Sequence, residues 1–406
     1  MSSKKWITIM ILIVIITNVL TFTLSNIIAL EFNNKVIVPA KEYESMVSTY
    51  MKYSKIMELE KYIKSNFLYD VDDEKLMDGQ IRGMFESLDD PYSVYMDPDE
   101  FKSFTEQNEG VYGGVGIIVT PGDDNLITVV SPIEGTPGDR AGIKTGDKIV
   151  KVNGEEFTAD RMDEAVRKMK GEPNTKVTIT ILRTDKDGNK EYLDIEIIRE
   201  EIRLDTVKSD IVEGNIGYIN ITSFDELTYK DFKEHLNNLL KKNIKGLILD
   251  LRNNPGGLLD ICVDIADELL GEGIVVYTET KDGERQYEYS GKSAVTLPLV
   301  VLVNEGSASA SEILAGAIKD HKRGLLIGNK TFGKGIVQRI RGLKDGSGFK
   351  LTVSEYFTPN GTSIHGIGIE PDITVDLPEG IMEIGLENLK EDTQLQRAIE
   401  EIKNML

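Results

Sequence analysis

Two short segments of the sequence carry side chains suited to nucleophilic catalysis. The first is Asn304-Glu-Gly-Ser-Ala-Ser-Ala-Ser-Glu, in which Ser309 stands where an apolar strand ends and an amphipathic helix begins. Free amides and the helix dipole favour negative charge at such a place. A serine there can present its hydroxyl to a carbonyl carbon while neighbouring amides receive the oxyanion. The alternative is that this serine is only an N-cap.

A nucleophilic serine needs a base, and the three histidines of the chain are poor candidates. His235 belongs to a helix with an apolar stripe, and His321 ends the helix that begins at Ser309. His365 lies in a glycine-rich loop, and a Ser/His/Asp arrangement built on it stays open as an alternative. Lysine can replace histidine where burial lowers its pKa, because the neutral amine is then available.

The second segment contains a lysine of that kind. Lys334 lies between two glycines and beside the apolar residues Phe332 and Ile336. Four residues later, Gln338 can orient the amine by a hydrogen bond without adding charge. The alternative is a surface turn lysine followed by a strand glutamine.

A third segment, residues 111–120 (VYGGVGIIVT), places three glycines at the start of a strand. Several backbone amides could point there into one hollow, which would hold a carboxylate. The alternative is that the glycines only permit a turn. Up to about residue 199, short β-branched strands follow, separated by Gly, Pro and Asp turns and by one helical stretch at 161–169.

This third region closely resembles a PDZ domain of bacterial proteases, through the run Gly135-Thr-Pro…Ala141-Gly-Ile-Lys-Thr-Gly-Asp-Lys-Ile…Val152-Asn-Gly. The resemblance implies that an extended peptide adds as a strand beside residues 116–119, with its terminal carboxylate at the amides of 113–115. The peptide-binding residues that it implies are Gly113, Gly114, Val115, Gly116, Ile117 and Ile118.

The remaining chain divides by its pattern. Residues 39–108 are helical and charged, and this arm could pair with a second copy of the chain. Beyond residue 200, strands and helices alternate, which predicts parallel strands with covering helices. A polar tail that ends in a helix of about twenty residues, a length in the usual range, closes the sequence.

The N-terminus predicts a membrane anchor. Lys4 and Lys5 precede an apolar run from Trp6 to Leu30 without a charged residue, long enough to cross roughly 30 Å of hydrocarbon. No convincing cleavage site follows, which favours an uncleaved anchor. Because lysines on the amino side stay in the cytoplasm, we expect a single-pass protein of the cell membrane with an extracytoplasmic catalytic part.

Composition excludes other classes of function. The net charge is −21, so nucleic acid is an unfavourable partner. Cys262 is the only cysteine, so an intramolecular disulfide is impossible and zinc-ligand spacing is absent. We expect neither a metal nor a cofactor.

Five ordered motifs, spread over residues 45–378, together resemble the carboxy-terminal processing proteases, also called tail-specific proteases. They are Leu88-Asp-Asp-Pro-Tyr-Ser, the PDZ run, Leu249-Asp-Leu-Arg-Asn-Asn-Pro-Gly-Gly, the Ser309 segment and Thr331-Phe-Gly-Lys-Gly…Gln338. Asp90 departs from the usual Leu-Asp-Pro-Tyr-Ser of the family, in the helical region rather than among the catalytic candidates.

The resemblance implies a Ser/Lys mechanism. Ser309 would be the nucleophile, Lys334 the general base and Gln338 the residue that orients it. Neutral Lys334 would take the serine proton and later protonate the leaving amine, and water would release the acyl-enzyme. Substrates would be proteins or peptides captured by their C-termini.

The resemblance also implies an oxyanion hole with two sides. The amide of Ala310 would form one side, and a glycine amide of the Asn-Asn-Pro-Gly-Gly turn would form the other. The sequence does not choose between Gly256 and Gly257.

The predicted fold class is α/β multidomain, with a crotonase/ClpP-like serine protease core. Its predicted segments are a transmembrane signal anchor (1–30), an N-terminal helical region (31–110), a PDZ domain (111–200), the protease core (201–378) and a C-terminal helical tail (379–406). Two other functions remain open: a catalytically inactive membrane-tethered PDZ adaptor, and an α/β domain that acts on thioesters.

Overall fold

The computed structural model describes residues 3–27, 30–32, 35–184, 188–292, 294–381 and 384–406. The chain forms two compact units, Met1–Met84 and Phe85–Leu406. Each unit is described by itself.

The first unit is mainly helical. Its elements are α1 (Ser3–Ile27), β1 (Leu30–Phe32), β2 (Lys35–Ile37), α2 (Ala40–Asn66) and most of α3 (Asp73–Glu86). Within α1, the 19 residues Lys4–Phe22 have a mean hydropathy of 2.1, so this helix is long and apolar enough to cross a membrane. Strands β1 and β2 pair antiparallel. No residue of α2 is buried.

The second unit begins with β3 (Val94–Met96) and α4 (Pro98–Glu109). Asp97 caps α4 by accepting the Glu100 amide at 2.9 Å, and Gly110 ends the helix in a left-handed conformation with φ of 73°. Both ends follow ordinary capping rules. A short ladder of β4 (Val111–Gly114) and β11 (Glu200–Arg203) then brackets the region that resembles a PDZ domain.

That region is an antiparallel sheet with its own core. Its strands are β5 (Ile117–Pro121), β6 (Ile127–Pro132), β7 (Lys148–Val152), β8 (Glu155–Glu156), β9 (Lys176–Thr184) and β10 (Lys190–Ile198). The strand order is β10-β9-β7-β6-β5, with β8 paired to β7. Helices α5 (Pro137–Arg140) and α6 (Met162–Met169) accompany them, and a 3-10 turn at Ala159–Arg161 precedes α6. The helix predicted at 161–169 is therefore present.

A six-stranded sheet forms the centre of the remaining part. Its order is β12 (Val207–Val212), β13 (Ile216–Ile221), β14 (Gly246–Asp250), β17 (Leu299–Val303), β18 (Leu325–Gly328) and β21 (Ile373–Thr374). All neighbours are parallel except β12 and β13. The parallel strands predicted from the alternating pattern are confirmed.

Helices cover both faces of this sheet. One face packs against α7 (Thr228–Lys241), α8 (Leu259–Leu269) and α9 (Ala310–Asp320). The other face packs against α10 (Thr393–Met405), whose Leu395, Ala398 and Ile402 are fully buried. Strand β17 illustrates this double coverage. All of its residues are buried, and its side chains point alternately to the two faces of the sheet. The C-terminal helix is shorter than predicted, because a 3-10 turn at Leu386–Asn388 takes part of the tail.

A second, antiparallel sheet stands beside the first. Its strand order is β16 (Arg285–Ser290), β15 (Gly273–Thr280), β20 (Gly348–Phe357) and β19 (Ile336–Gly342), and β3 also pairs with β20. Among the described strands, β19 has no second neighbour. The bulge between Val337 and Gln338 shifts the register of the β19–β20 pair.

A buried ion cluster fastens α10 to the end of β14. The side chain of Arg252 is fully buried and donates to both Asp250 and Asp392, at 2.6 and 2.8 Å from Nη2. Gln394 accepts from the same guanidinium, and the Tyr218 hydroxyl donates to Asp250 at 2.8 Å. Asp392 also accepts the Leu395 amide at the start of α10. The turn after β14 is thus held by residues from the far end of the chain.

We predict that Asp392→Ala lowers the free energy of unfolding by about 3–5 kcal/mol, because it leaves Arg252 as a buried, half-paired charge. Burial alone would raise the pKa of Asp392, but Arg252 outweighs burial and lowers it. The stabilisation of the wild type is therefore present at neutral pH and lost as pH falls through the lowered pKa.

Denaturant titrations at neutral pH measure this effect. Asp282→Ala, which removes an exposed carboxylate from a hairpin turn, is the control and is expected to change little. Equal losses from the two substitutions would contradict the role given to the ion cluster.

Candidate active site

An open cleft of about 250 Å³ lies in the second unit, beside β19 and β20. Helix α4, the turn that follows β14, the start of α9 and strands β19 and β20 contribute to its lining. Ser309, Lys334 and Gln338 all line it, as do Ala310 and Gly257. The structure thus brings together, in one cleft, residues from three of the five sequence motifs.

Ser309 precedes α9 in an unusual backbone conformation, with φ of 56° and ψ of −115°. This combination is typical of glycine, so a serine there is strained. The amides of Glu312 and Ile313 donate to the Ser309 carbonyl oxygen at 2.9 and 3.0 Å, which starts the helix. The tight turn leaves Ser309 half-buried on the cleft, although its neighbours are buried.

The carboxylate of Glu312 is the centre that holds this turn. It is fully buried, and it accepts the Ser309 amide at 2.9 Å and the Lys334 amide at 2.8 Å on Oε2. Its Oε1 accepts the Gly333 amide at 2.7 Å and the Thr331 hydroxyl at 2.6 Å. One carboxylate therefore joins the backbone of the predicted nucleophile to the backbone of the predicted base.

Lys334 enters the cleft from the loop between β18 and β19. Its Nζ lies 4.6 Å from the centre of the Tyr92 ring, a cation–π contact. Burial lowers the pKa of Lys334, the charge of Lys350 lowers it further, and Asp90 opposes both. The lysine of the cleft therefore has the direction of shift that a general base requires.

No hydrogen bond joins the Lys334 amine to Ser309 or Gln338 in the described part of the chain. The Gln338 Nε2 atom is buried without a hydrogen-bond partner among the described residues, so it does not hold the amine here. Tyr356 contacts the backbone of the same loop, because its hydroxyl donates to the Lys334 carbonyl oxygen. Burial raises the pKa of Tyr356, and the nearby Ser309 side chain opposes that rise.

Two residues that line the cleft near Ser309, Ala310 and Gly257, have amides without an acceptor in the described part of the chain. The Gly256 amide is already engaged, since it donates to the Asn254 side chain at 2.8 Å. Gly256 instead allows its turn to approach Ser309 closely, because a Cβ atom at residue 256 would lie 2.7 Å from the Ser309 Cβ. Helix termini and such turns leave amides available to an oxyanion.

The three histidines lie outside the lining of this cleft. The Nδ1 of His235 is 2.6 Å from the Ser209 hydroxyl, and the Nε2 of His321 is 2.7 Å from the Ile274 carbonyl oxygen. His365 is exposed, and its backbone packs against Gly335.

A small groove of about 40 Å³ marks the PDZ-like region, between β5 and α6. Of the six residues that the resemblance implies for peptide binding, Val115, Gly116 and Ile117 line it. Ile118 is 49% exposed on the same strand. Gly113 and Gly114 pair instead with β11. Strand β5 ends its sheet, so its outer edge is open among the described strands.

Sequence reasoning missed three residues that position this site: Glu312, Tyr92 and Arg252. Each lies inside a motif that the sequence displays, yet its role depends on contacts with distant segments. Glu312 three residues after Ser309 resembles an ordinary helix start. Its three hydrogen bonds to the loop at 331–334 have no local signal.

The site offers acyl-transfer chemistry: a serine at a helix start, free amides beside it and a half-buried lysine. Within the described residues, no group of His, Cys, Asp and Glu side chains could hold a metal ion. Cys262 is buried, and burial raises its pKa, so it is not a competing nucleophile.

Comparison with known proteins supports this chemistry. Three family models match: peptidase family S41 at residues 215–375, the activating protease CtpB N-terminal domain at 14–100 and the PDZ domain at 128–183. The chain is 40% identical over 338 residues to a carboxy-terminal-processing protease of Bartonella bacilliformis, covering 82% of this chain and 76% of that protein. It is 42% identical over 330 residues to the carboxy-terminal processing protease CtpA of Bacillus subtilis, covering 81% and 70%.

A solved structure agrees at the level of the fold. A protein described as a putative S41 protease from Bacteroides fragilis superposes with a TM-score of 0.51 at 17% identity, covering 80% of this chain and 90% of that one.

Fold, site and relatives together define a serine-type peptidase with a PDZ domain. The chain belongs to peptidase family S41, among the carboxy-terminal processing proteases.

We predict that Ser309→Gly unfolds with a free energy about 1 kcal/mol higher than that of Ser309→Ala. Glycine relieves a strain of about 1–3 kcal/mol, which outweighs its extra loss of backbone entropy of about 0.5–1 kcal/mol. Denaturation of the two variants measures the difference. At Ser103 in α4, where φ is helical, the same pair of substitutions should give the opposite order. The same order at both sites would contradict the strain at Ser309.

Proposed function

We propose that this chain is a membrane-anchored, extracytoplasmic endopeptidase that cuts protein substrates with a Ser309/Lys334 dyad. The observation that carries the proposal is that both side chains line one cleft beside two unengaged amides. Family membership supports the reaction class, and the residue roles are the proposal.

The reaction follows from these positions. Neutral Lys334 takes the proton of the Ser309 hydroxyl, and the serine oxygen attacks the peptide carbonyl carbon. The protonated lysine then gives its proton to the leaving amine, and water attacks the acyl-enzyme by the same route. For this transfer, the Lys334 amine must lie within hydrogen-bond distance of the Ser309 hydroxyl.

Gln338 has an unsatisfied donor beside this path, and we infer that it receives Lys334 in the reactive arrangement. The developing oxyanion lies between the amides of Ala310 and Gly257. Gly257 is favoured over Gly256 because the Gly256 amide already donates to Asn254.

The PDZ domain would capture the C-terminal tail of a substrate. The open edge of β5 and the groove at Val115, Gly116 and Ile117 support addition of an extended peptide. Gly113 and Gly114 would contribute indirectly, since they pair with β11 and shape the loop that follows.

The apolar helix α1 supports a single-pass anchor, with the lysines at its start in the cytoplasm. Helix α2 exposes large apolar side chains, including Tyr50 and Met51, which supports a homodimer formed through the helical arm. The crotonase/ClpP-like class and the segment limits at 30, 110, 200 and 378 belong to the same proposal.

We predict that Ser309→Ala and Lys334→Ala each abolish hydrolysis of an unstructured protein by the full-length chain in detergent. Loss of either member removes the proton transfer that the nucleophile needs. Product formation is followed by gel electrophoresis and mass spectrometry. His365→Ala is the matched control and should keep its activity. If His365→Ala is inactive while Lys334→Ala cuts, the histidine alternative replaces the dyad, and a wild type without activity favours the tethered adaptor.

The rate should rise with pH through an apparent pKa below that of an ordinary lysine, because deprotonation produces the active amine. Asp90→Asn removes a charge that raises the pKa of Lys334, so its profile should shift to lower pH. Profiles of kcat/KM for the wild type and this variant measure the shift. Identical profiles would contradict the role of Lys334.

We predict that Val166→Ser, which removes an apolar side chain from the PDZ groove, raises KM for a protein with an apolar tail and leaves kcat unchanged. A short peptide that cannot reach the PDZ domain should be cut normally. Val130→Ser, at an exposed position of β6, is the control. A fall in kcat on the short peptide would show that the PDZ domain opens the cleft as well as recruiting substrate.

A further inference from the structure

The catalytic cleft contains a second lysine, to which the mechanism gives no role. Lys350 lies on β20, lines the cleft and is half-buried. Its Nζ is 5.0 Å from the centre of the Phe104 ring, so an aromatic residue of α4 lies against it. Lys350 is thus a cation held at the wall of a substrate-sized opening.

Lys350 has no carboxylate partner in the described part of the chain. Burial lowers its pKa, and no neighbouring acidic group opposes that change. Other lysines of this acidic chain do find such partners: Lys148 pairs with Asp124 and Lys233 with Glu268. An unpaired, partly desolvated cation is costly, which points to a role outside folding.

Lys350 lies farther along the cleft than Lys334, at a distance from the bond that would be cut. In the pairing of β19 with β20, Lys350 lies opposite Ile340. Gln338 lies opposite Thr352, two residues nearer to Lys334 along β19. The Gln338 Nε2 is buried and lacks a hydrogen-bond partner among the described residues. From Ile336 to Ile340 the strand rises about 13 Å, or four residues of an extended peptide. The cleft lining therefore follows β19 from Ile336 to Ile340 and continues to Lys350 on the paired strand.

We propose that Lys350 binds a carboxylate of the substrate that lies about three or four residues from the cut bond. Lys350 is thus a specificity-determining residue, and this role rests on the proposed function. The carboxylate comes either from an Asp or Glu side chain or from the C-terminus of a short product or peptide. Gln338, which also lines the cleft, lies on β19 between Lys334 and Ile340, the register partner of Lys350.

The physical reason is that the cation has already lost part of its hydration. A carboxylate that reaches Lys350 replaces water at a half-buried site, where a charge-assisted hydrogen bond is stronger than at an exposed surface. An uncharged side chain at the same position leaves the cation unpaired. We therefore expect discrimination of about tenfold between Glu and Gln at that position.

Cleavage of matched peptides tests this role with the full-length chain in detergent. A peptide without carboxylates and with an amidated end is first mapped for its cut bond by mass spectrometry. Glu and Gln are then compared at each position within reach of Lys350, on both sides of the bond. The wild type should favour Glu at one position by about tenfold in kcat/KM, and Lys350→Met should lose this preference.

Three further variants make the result specific. Lys350→Arg keeps the charge and should keep the preference, and Lys344→Met, in the exposed turn of the same hairpin, should behave as the wild type. Because Lys350 also lowers the pKa of Lys334, Lys350→Met slows all peptides by a common factor, which cancels in the Glu/Gln ratio. An unchanged ratio in Lys350→Met overturns the proposal.

Peptides with a free or an amidated C-terminus show which kind of carboxylate Lys350 binds. If a free C-terminus gives the Lys350-dependent gain and internal Glu does not, the residue binds the terminal carboxylate; the reverse result assigns it to acidic side chains. A gain from neither overturns the proposal.

A measurement of peptide binding tests the role of Lys350 independently of catalysis by the Ser309/Lys334 dyad. Fluorescence anisotropy of the labelled Glu and Gln peptides is measured with Ser309→Ala, and with Ser309→Ala combined with Lys350→Met. Binding that depends on both Glu and Lys350 supports the site even if no peptide is cut, in which case only the proposed function fails. Cleavage of peptides without any effect of Lys350 leaves the dyad intact and refutes the carboxylate site.

Discussion

The candidate active-site cleft depends on one buried carboxylate. Glu312 accepts hydrogen bonds from two segments, the turn before α9 and the loop before β19, and it has no contact with water. Four donors compensate for the burial of a charge that would otherwise be costly. Because the same carboxylate binds the Ser309 and Lys334 amides, the strained turn and the lysine loop cannot move independently. The distance between the two backbones is therefore set by a residue that takes no part in the chemistry proposed for the cleft.

The sequence predicted the elements more completely than the geometry of the site. Ser309 at a strand–helix junction and the alternating order beyond residue 200 are local patterns, and both agree with the structure. The difference between Gly256 and Gly257 was not predictable, because it depends on the Asn254 side chain accepting one amide and not the other. Lys350 carried no signal at all, since its neighbours on the cleft wall come from α4 and β19.

The C-terminal segment illustrates the same limit in the fold. Its apolar spacing predicted a helix, but composition described it as a polar tail. In the structure, α10 closes one face of the central sheet and Asp392 completes the pairing of Arg252. Only the pairing of residues far apart in the chain reveals that this segment belongs to the core, and such pairings leave no trace in local periodicity.

That pairing sets an order of events during synthesis. Arg252 and Asp392 are 140 residues apart, so the ribosome has made the whole catalytic sheet before the partner of Arg252 exists. Until α10 emerges, the turn that carries Gly257 is attached to an arginine with one of its two carboxylates missing, and one face of the sheet is bare. A nascent chain that lacks α10 therefore has an incompletely supported turn after β14.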